Sequence, residues 1–237
     1  MRTALSFHSV ADFINYLRRN HEAPSTLLLC STRDHIVRDI QASLLRESLD
    51  SVADNDEEPN EANPHHLLVN SIGVIASSCT IQIRYIPTLT CLRAYLTAYQ
   101  PIYDTSSNGT WDPARPTLAI WGFIKLHRAT ADFTAQGLLR SLTLAVETAH
   151  NTRQDLIIAE PPIGTCVDDD GNDAADTPTS PWREQVPLLS GSVRVEGSKR
   201  VLAGQNLEIG HLMQKWCSVK DLKDEPPGTP TDDGSDT

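Results

Sequence analysis

The fold is decided by three consecutive segments, TLAIWGFI at residues 117–124, FTAQGLLRSLTLAVETA at 133–149 and DLIIAE at 155–160. The first and third segments are almost wholly apolar, which is typical of strands that are covered on both faces. The middle segment places its apolar residues at helical spacing along one stripe. Two buried strands joined by a helix form a right-handed βαβ crossover, so this stretch predicts an α/β fold with a parallel sheet.

The residues before this unit predict further strands and helices of the same kind. Ser9 is expected to begin a helix, because Asp12 lies at the spacing of a capping box. Residues 26–32 predict a buried strand, and residues 33–49 predict the helix that follows it. A second strand is expected at residues 80–86, and a helix is expected to begin after it, at Pro87-Thr88.

Three acidic stretches divide the chain into a folded part and solvated segments. Residues 50–63, 167–182 and 224–237 together carry sixteen of the 31 acidic side chains, which leaves fifteen acids against all twenty bases elsewhere. We therefore predict a single domain over residues 1–222 with disordered insertions at about 50–63 and 167–182, and a disordered tail at 223–237. Short apolar runs after residue 186 predict β-hairpins that complete one edge of the sheet.

Several classes of protein do not fit this composition. No amino-terminal stretch resembles a secretory signal, and no apolar run approaches the roughly 20 residues that a membrane helix needs. The five cysteines are scattered without metal-ligand spacing, which favours reduced thiols in a nuclear or cytosolic protein. We expect no cofactor and no contact with membranes.

The loop after the first predicted strand lacks the features of a phosphate-binding loop. A nucleotide-binding α/β protein places glycines and a lysine between such a strand and the next helix. Here the connection is Ser31-Thr32-Arg33-Asp34, which contains neither residue type and adds a carboxylate. We therefore expect no nucleotide at this position.

Two small basic clusters are the candidate contacts for nucleic acid, because cations bind phosphates and both clusters are expected at strand ends. The residues are Lys125, Arg128, Arg194, Lys199 and Arg200. Other chemistry finds little support. Asp168–Asp173 has its glycine at the wrong position for a calcium loop, and no serine–histidine–aspartate pattern is evident.

The central unit resembles the part of RecA-type recombinases that follows their second nucleotide-binding motif. The resemblance rests on the apolar strand, on Asp132-Phe133-Thr134, on Gly137-Leu138 and on Arg140-Ser141-Leu142 before the next apolar strand. It covers about 45 residues closely, and the order of elements extends it to residues 26–219. The resemblance implies a RecA-like, mostly parallel sheet flanked by helices.

The departures from the family pattern imply a protein without ATPase activity. The family's glycine-rich loop is missing. Gly122 is found near the position where the family has its magnesium-associated aspartate, and Ala159-Glu160-Pro161 is found where the family has a glutamine after the last strand. The chain is therefore similar to the degenerate subunits of the Shu complex, which mediate recombination. The implied function is an assembly subunit in homologous recombination and DNA repair, which binds another RecA-like subunit and contacts DNA weakly or indirectly. The implied location is the nucleus, with the cytoplasm as a second location.

Two alternatives remain open from the sequence. One is an Elongator-type RecA-like accessory subunit, which would act in tRNA modification. The other is an α/β enzyme whose site is built from loops that follow no recognised motif. An intact nucleotide or metal constellation would favour the enzyme.

Overall fold

The computed structural model describes residues 1–21, 24–53, 79–101, 115–163, 179–189, 193–196, 199–202 and 206–220. The helices in these ranges are α1 (Val10–Asn20), α2 (Arg33–Ala53), α3 (Leu89–Ala98), α4 (Phe123–Arg128), α5 (Ala135–Asn151) and α6 (Ile209–Gln214), with a 3₁₀ turn at Pro181–Arg183. The strands are β1 (Arg2–Ser6), β2 (Ser25–Leu29), β3 (Ile81–Tyr85), β4 (Thr117–Trp121), β5 (Asp155–Glu160), β6 (Gln185–Pro187), β7 (Val193–Glu196), β8 (Lys199–Leu202), β9 (Asn206–Glu208) and β10 (Ser218–Lys220).

The main sheet has six strands in the order β10-β1-β5-β4-β2-β3, and every neighbouring pair in it is parallel. The predicted β4–α5–β5 crossover is confirmed, with Thr117 in register with Asp155. Strands β2 and β4 are wholly buried, as their apolar sequences require. The α/β fold with a parallel sheet is therefore correct.

Helices cover the sheet on both faces. On one face, α1 and the start of α2 pack against Leu5, Leu27 and Ala119. On the other, α3, α4, α5 and α6 pack against Leu28, Ile120 and their neighbours in a larger core. Among the described helices, none is both long and apolar enough to cross a membrane.

Strand β1 was not predicted from the sequence, although it lies second in the sheet. It pairs with β5 on one side and β10 on the other, and its three central residues are buried. Its sequence, RTALS, contains only two strongly apolar residues, and so its pattern is too weak to indicate a strand. Pairing with a neighbour on each side stabilises β1 as a strand, although its local β propensity is weak.

The predicted edge of C-terminal β-hairpins is wrong for the main sheet. Among the described strands, β7 and β8 pair only with each other, and β6 pairs only with β9. The edge is completed instead by β10, which runs parallel to β1. A parallel strand cannot be reached by a tight turn, and the 3₁₀ turn and α6 carry the chain across the sheet before it.

The apolar run at residues 117–124 ends as a strand earlier than predicted. Strand β4 stops at Trp121, and Gly122 takes the left-handed conformation with φ of 76° before α4 begins. This conformation is open to glycine without steric cost. Lys125 and Arg128 therefore lie on a short helix and not at the end of a strand.

The predicted disordered insertions overlap described structure at one end each. Helix α2 continues to Ala53, so residues 50–53 are helical, and the remainder of 50–63 lies outside the described residues. Thr179 pairs with Ile163, and the side chain of Trp182 is buried in the core, so residues 179–182 are ordered. The rest of 167–182 and the tail at 223–237 lie outside the described residues.

Candidate functional site at the carboxyl edge of the sheet

A crevice opens where the connections of two neighbouring strands leave the sheet in opposite directions. Strand β1 leads into α1 on one face, whereas the chain after β5 leads to α6 on the other face. Ligands of open α/β sheets bind at such switch points, outside the carboxyl ends of the strands. A cavity of about 390 Å³ lies here.

Basic side chains from three elements line this crevice. His8 comes from the β1–α1 connection, His35 from α2, and Lys125 and Arg128 from α4, while Asp39 of α2 is the carboxylate among the lining residues. Trp121, Pro161 and Pro162 add an apolar wall to the same cavity. No cluster of three or more His, Cys, Asp or Glu suited to a metal ion occurs within the described residues.

Asp39 connects two of these basic groups. Its Oδ2 lies 3.0 Å from Nδ1 of His35, one helical turn away, and 3.8 Å from Nζ of Lys125. All three side chains are between 42% and 45% exposed, although the Nδ1 atom of His35 itself is covered. At this exposure the ion pairs add little to stability.

Arg128 is held by a carboxylate from the C-terminal part of the chain. Its Nε and Nη2 donate hydrogen bonds to Glu184, with Nη2 2.7 Å from Oε2. A forked pair of this kind fixes the guanidinium geometrically. The pair anchors the segment after the 3₁₀ turn against α4, and Nη1 takes no part in it.

Glu160, the last residue of β5, directly precedes the two prolines of the crevice wall and is only 1% exposed. Its carboxyl group accepts hydrogen bonds from the backbone amides of Ile124 (2.5 Å) and Lys125 (3.4 Å). It therefore caps α4, whose own N-cap residue, Gly122, has no side chain to do so. Burial outweighs these bonds and raises the pKa of Glu160 to about 8, so the carboxyl group is mostly protonated at pH 7.

We expect Glu160→Gln to reveal this titration. The carboxyl group ionises near its usual pKa of 4.5 in the unfolded chain but near 8 in the folded protein, so its contribution to stability falls as the pH rises between these values. The fall reaches at most about 1.4 kcal/mol per pH unit. In urea unfolding at pH 5.5, 6.5 and 7.5, the variant should gain stability relative to the parent as the pH rises. Burial lowers the pKa of His127, which makes stability change with pH in the opposite direction. This contribution cancels in the difference between variant and parent, because both proteins contain His127. A pH-independent difference between the proteins would contradict the assignment.

The start of α1 is closed to phosphate by the chain itself. The hydroxyl of Ser9 accepts a hydrogen bond from the amide of Asp12, and the carboxylate of Asp12 accepts from the amide and hydroxyl of Ser9. In phosphate-binding loops, the backbone amides at the start of the helix are free to bind the phosphate of the ligand. The structure adds a second strand–loop–helix unit, β1–α1, to the β2–α2 unit that the sequence predicted. The β1–α1 connection, Phe7-His8-Ser9, likewise contains no glycine and no lysine.

Behind the crevice, a buried polar network joins α3, α4 and α5. Nδ1 of His127 donates to the carbonyl of Phe123 (2.8 Å), so Nε2 of the neutral ring accepts from the hydroxyl of Ser141 (3.0 Å). Arg93 donates to Ser141 through Nε and to Asp132 through Nη1. His127 and Ser141 are both fully buried, so the pair is a structural contact and not an exposed nucleophile with its base.

The comparison with known families covers the part of the chain that builds this site. A family model described as SPAC22G7.03-like matches residues 9–163, about two thirds of the chain. The chain belongs to the SPAC22G7.03-like family. No curated protein and no solved structure matches it. The description of the family states no activity.

The family region contains most of the crevice and the whole polar network. It runs from Ser9, the N-cap of α1, to Ile163 on the rim, and thus includes His35, Lys125 and Arg128. Strand β1, His8 and all elements after Ile163 lie outside the match. The SPAC22G7.03-like region therefore includes most of the residues that line the crevice. Glu184, which binds Arg128, lies outside this region.

The structure separates the predicted nucleic-acid contacts of this SPAC22G7.03-like chain into two groups. Lys125 and Arg128 lie together in the crevice. Arg194, Lys199 and Arg200 lie on the β7–β8 hairpin, where Val195 pairs with Arg200. Contact with nucleic acid stays a prediction for all five residues.

Sequence reasoning missed His8, His35, Asp39 and Glu160 as members of the site. They come from three places along the chain, the β1–α1 connection, α2 and the end of β5, and no local spacing connects these three places. The one available signal is topological, because residues that follow parallel strands meet at one edge of the sheet. That signal requires the strand order, and β1 was not predicted.

Proposed function

We propose that the chain is a RecA-like assembly subunit without catalytic activity, which docks against another RecA-like protein in homologous recombination and DNA repair. Two features support the proposal together. The parallel sheet and the β4–α5–β5 crossover are the scaffold expected for such a protein. The β1–α1 connection beside the crevice contains neither the glycines nor the lysine of a phosphate-binding loop, and the Asp12 carboxylate closes the start of α1.

The observation that carries the non-catalytic part is the composition of the crevice. Phosphoryl transfer needs groups that hold Mg²⁺ and the phosphates and orient a water molecule. Gly122 follows the end of β4. Glu160 is the last residue of β5, and its buried carboxyl group accepts a hydrogen bond from the amide of Ile124 in α4. Neither position provides an exposed carboxylate for a hydrated metal ion.

Strand β3, one of the two edge strands of the described main sheet, offers a surface for a partner. In β3, Ile83 and Tyr85 lie on the same face and are 37% and 39% exposed. An exposed edge strand with apolar side chains is a site at which another chain can pair or pack. We assign this edge to the contact with the RecA-like partner.

The proposal is tested by affinity purification of the tagged chain from nuclear extract, followed by mass spectrometry of the proteins retained. We expect a RecA-like recombination protein among them, and expect the double variant Ile83→Glu/Tyr85→Glu to lose it. The matched control is Leu189→Glu, which alters an apolar side chain that is 66% exposed elsewhere on the surface. Recovery of Elongator subunits would favour the tRNA-modification alternative, and equal loss in the control would refute the assigned surface.

The isolated chain should bind DNA weakly. The acidic stretch at residues 167–182 carries five carboxylates, which repel a phosphate backbone, and only 5% of the chain is aromatic, so few side chains could stack on bases. Fluorescence anisotropy with single-stranded and duplex DNA at about 50 mM and 200 mM salt brackets the range in which phosphate contacts weaken. Submicromolar binding that falls steeply with salt would show that the chain contacts DNA strongly without a partner.

A further inference from the structure

We propose that the chain forms a two-fold symmetric dimer, in which the β3 strands of two copies pair antiparallel and join the two main sheets. The occupant of this edge is a second copy of the chain. The dimer goes beyond the proposed function, and only its competition with the partner for β3 rests on that proposal.

The backbone of β3 presents three residues to a further strand. The carbonyl of Thr80 accepts from the amide of Ser25, and the amide of Ile86 donates to the carbonyl of Leu29, so the even-numbered residues here bond to β2. Among the described strands, β3 pairs only with β2. Because neighbouring peptide groups in a strand point in opposite directions, the odd-numbered residues direct their N–H and C=O groups away from β2. These residues are Ile81, Ile83 and Tyr85.

The outward groups define a self-complementary register about a two-fold axis at Ile83. Ile83 then lies opposite Ile83 of the second copy, and Ile81 lies opposite Tyr85 on each side of the axis. Pairs of β-branched and aromatic side chains stabilise neighbouring strands. Ile83 and Tyr85 are 37% and 39% exposed in the single chain, so the pairing buries apolar surface. An axis at Ile81 or Tyr85 would leave most of the strand unpaired.

The polar residues of β3 are compatible with the same register. It sets Gln82 of one copy opposite Arg84 of the other, and the amide oxygen of Gln82 can accept from the guanidinium. No like charges lie directly opposite each other, which would be destabilising. In the single chain, Nη1 of Arg84 donates to the carbonyl of Ile83 at 3.1 Å. A carbonyl oxygen has two lone pairs, and can therefore also accept the amide of the second copy.

The dimer and the partner contact exclude each other, because both use the edge of β3. An exposed apolar edge strand is a template for unspecific aggregation. The dimer covers this edge in the absence of the partner, and the partner has to displace the second copy.

Sedimentation velocity of the purified full chain tests the dimer, from low to high micromolar concentration. Salt of about 0.15 M screens the net charge of −11 on each copy. We expect a reversible shift from monomer to dimer in the parent and a monomer for Ile83→Pro. Proline removes the outward N–H but none of the bonds to β2, and edge strands tolerate it in such a position. Ile83→Glu should also remain monomeric, because it places two carboxylates opposite each other at the axis.

Leu189→Glu is the matched control, which changes an exposed apolar side chain away from β3 and should dimerise like the parent. Circular dichroism checks that each variant is folded. A parent that stays monomeric, a dimer that survives either Ile83 variant in folded form, or loss of the dimer in the control would overturn the proposal.

Cysteine substitutions test the register, with oxidised glutathione as the oxidant. The Cα atoms of a hydrogen-bonded pair lie about 5.5 Å apart, which a disulfide can span, so Ile83→Cys should form a covalent dimer. Ile81→Cys is its control, because the two copies of this residue on the same face would lie more than about 13 Å apart. The native cysteines occur in all three proteins, and the parent gives their background. Equal rates of cross-linking at residues 81 and 83 would overturn the register.

The dimer and the proposed function fail in different experiments, because sedimentation uses the purified chain without a partner. A chain that is monomeric alone but retains a RecA-like protein through Ile83 and Tyr85 would refute the dimer and leave the proposed function intact. A dimer from which no RecA-like protein is recovered would support the dimer and refute the proposed function.

Discussion

Replacing Gly137 by alanine is expected to destabilise the protein by about 3 kcal/mol or more, at the upper end of the cost of overpacking. Gly137 lies in the first turn of α5, beneath the turn at residues 130–134. A Cβ atom at this position would lie 2.1 Å from the carbonyl oxygen of Asp132, which is backbone and cannot move aside alone. The turn would shift, and with it the hydrogen bonds from Arg93 to Asp132 and to the Gly137 carbonyl.

The sign of this effect distinguishes packing from helix propensity. Alanine is the better helix former by about 1 kcal/mol, so an unpacked Gly137 would give a more stable variant. Urea unfolding measures the difference, with Thr143→Ala as the control, because Thr143 lies exposed on the same helix. We expect the control to change stability by less than about 0.5 kcal/mol. A Gly137→Ala protein as stable as the parent would show that the turn does not pack on α5.

Leu142→Ala is the second large effect, with an expected loss of about 2–5 kcal/mol from the removal of a buried branched side chain. Leu142 is 1% exposed and lies in the larger core, which joins α5 to β4, β5 and α6. The cavity left behind would be enclosed by helices and sheet, so little relaxation is expected. A domain of this size has only about 5–15 kcal/mol of stability in total.

Thermal and urea unfolding of Leu142→Ala test this core assignment, again with Thr143→Ala as the reference. A melting temperature within a degree or two of the parent would mean that α5 is exposed and that the crossover is wrongly assigned. The far-ultraviolet circular dichroism of the variant should remain that of the parent at low temperature, since the side chain contributes to packing and not to the helix itself.

The sequence pattern was sufficient for the elements whose burial is complete. Residues 117–121 and 155–160 are apolar because both their faces are covered, and the amphipathic stripe of α5 packs against the same core. The capping box at Ser9 is also present as predicted. These features depend on residues close together in the chain, which is why local spacing predicts them.

The elements that sequence reasoning missed depend on distant parts of the chain. Strand β1 is stabilised by pairing with β5, more than 150 residues later. Strand β4 ends at Trp121 because Gly122 changes the direction of the backbone and because Glu160, in the neighbouring strand β5, accepts a hydrogen bond from an amide of α4. Strand β10 pairs with β1 only because the chain crosses the sheet through α6.

The motif that carries the resemblance to recombinases has a structural explanation here. Asp132 and Ser141 bind Arg93, and Gly137 allows the turn to approach the helix. These residues hold α3, α4 and α5 together, so their pattern has a packing role that does not depend on nucleotide binding. The crevice residues had no comparable pattern, because they meet only through the order of the strands.

The central claim is that this parallel α/β scaffold has no nucleotide site, and titration of the full chain with Mg-ATP by isothermal calorimetry tests it most directly. The account predicts no saturable heat at micromolar nucleotide, because the β1–α1 and β2–α2 connections contain neither glycine nor lysine and Asp12 closes the start of α1. Saturable binding with a micromolar dissociation constant would contradict the claim, and would require a phosphate site that neither connection provides.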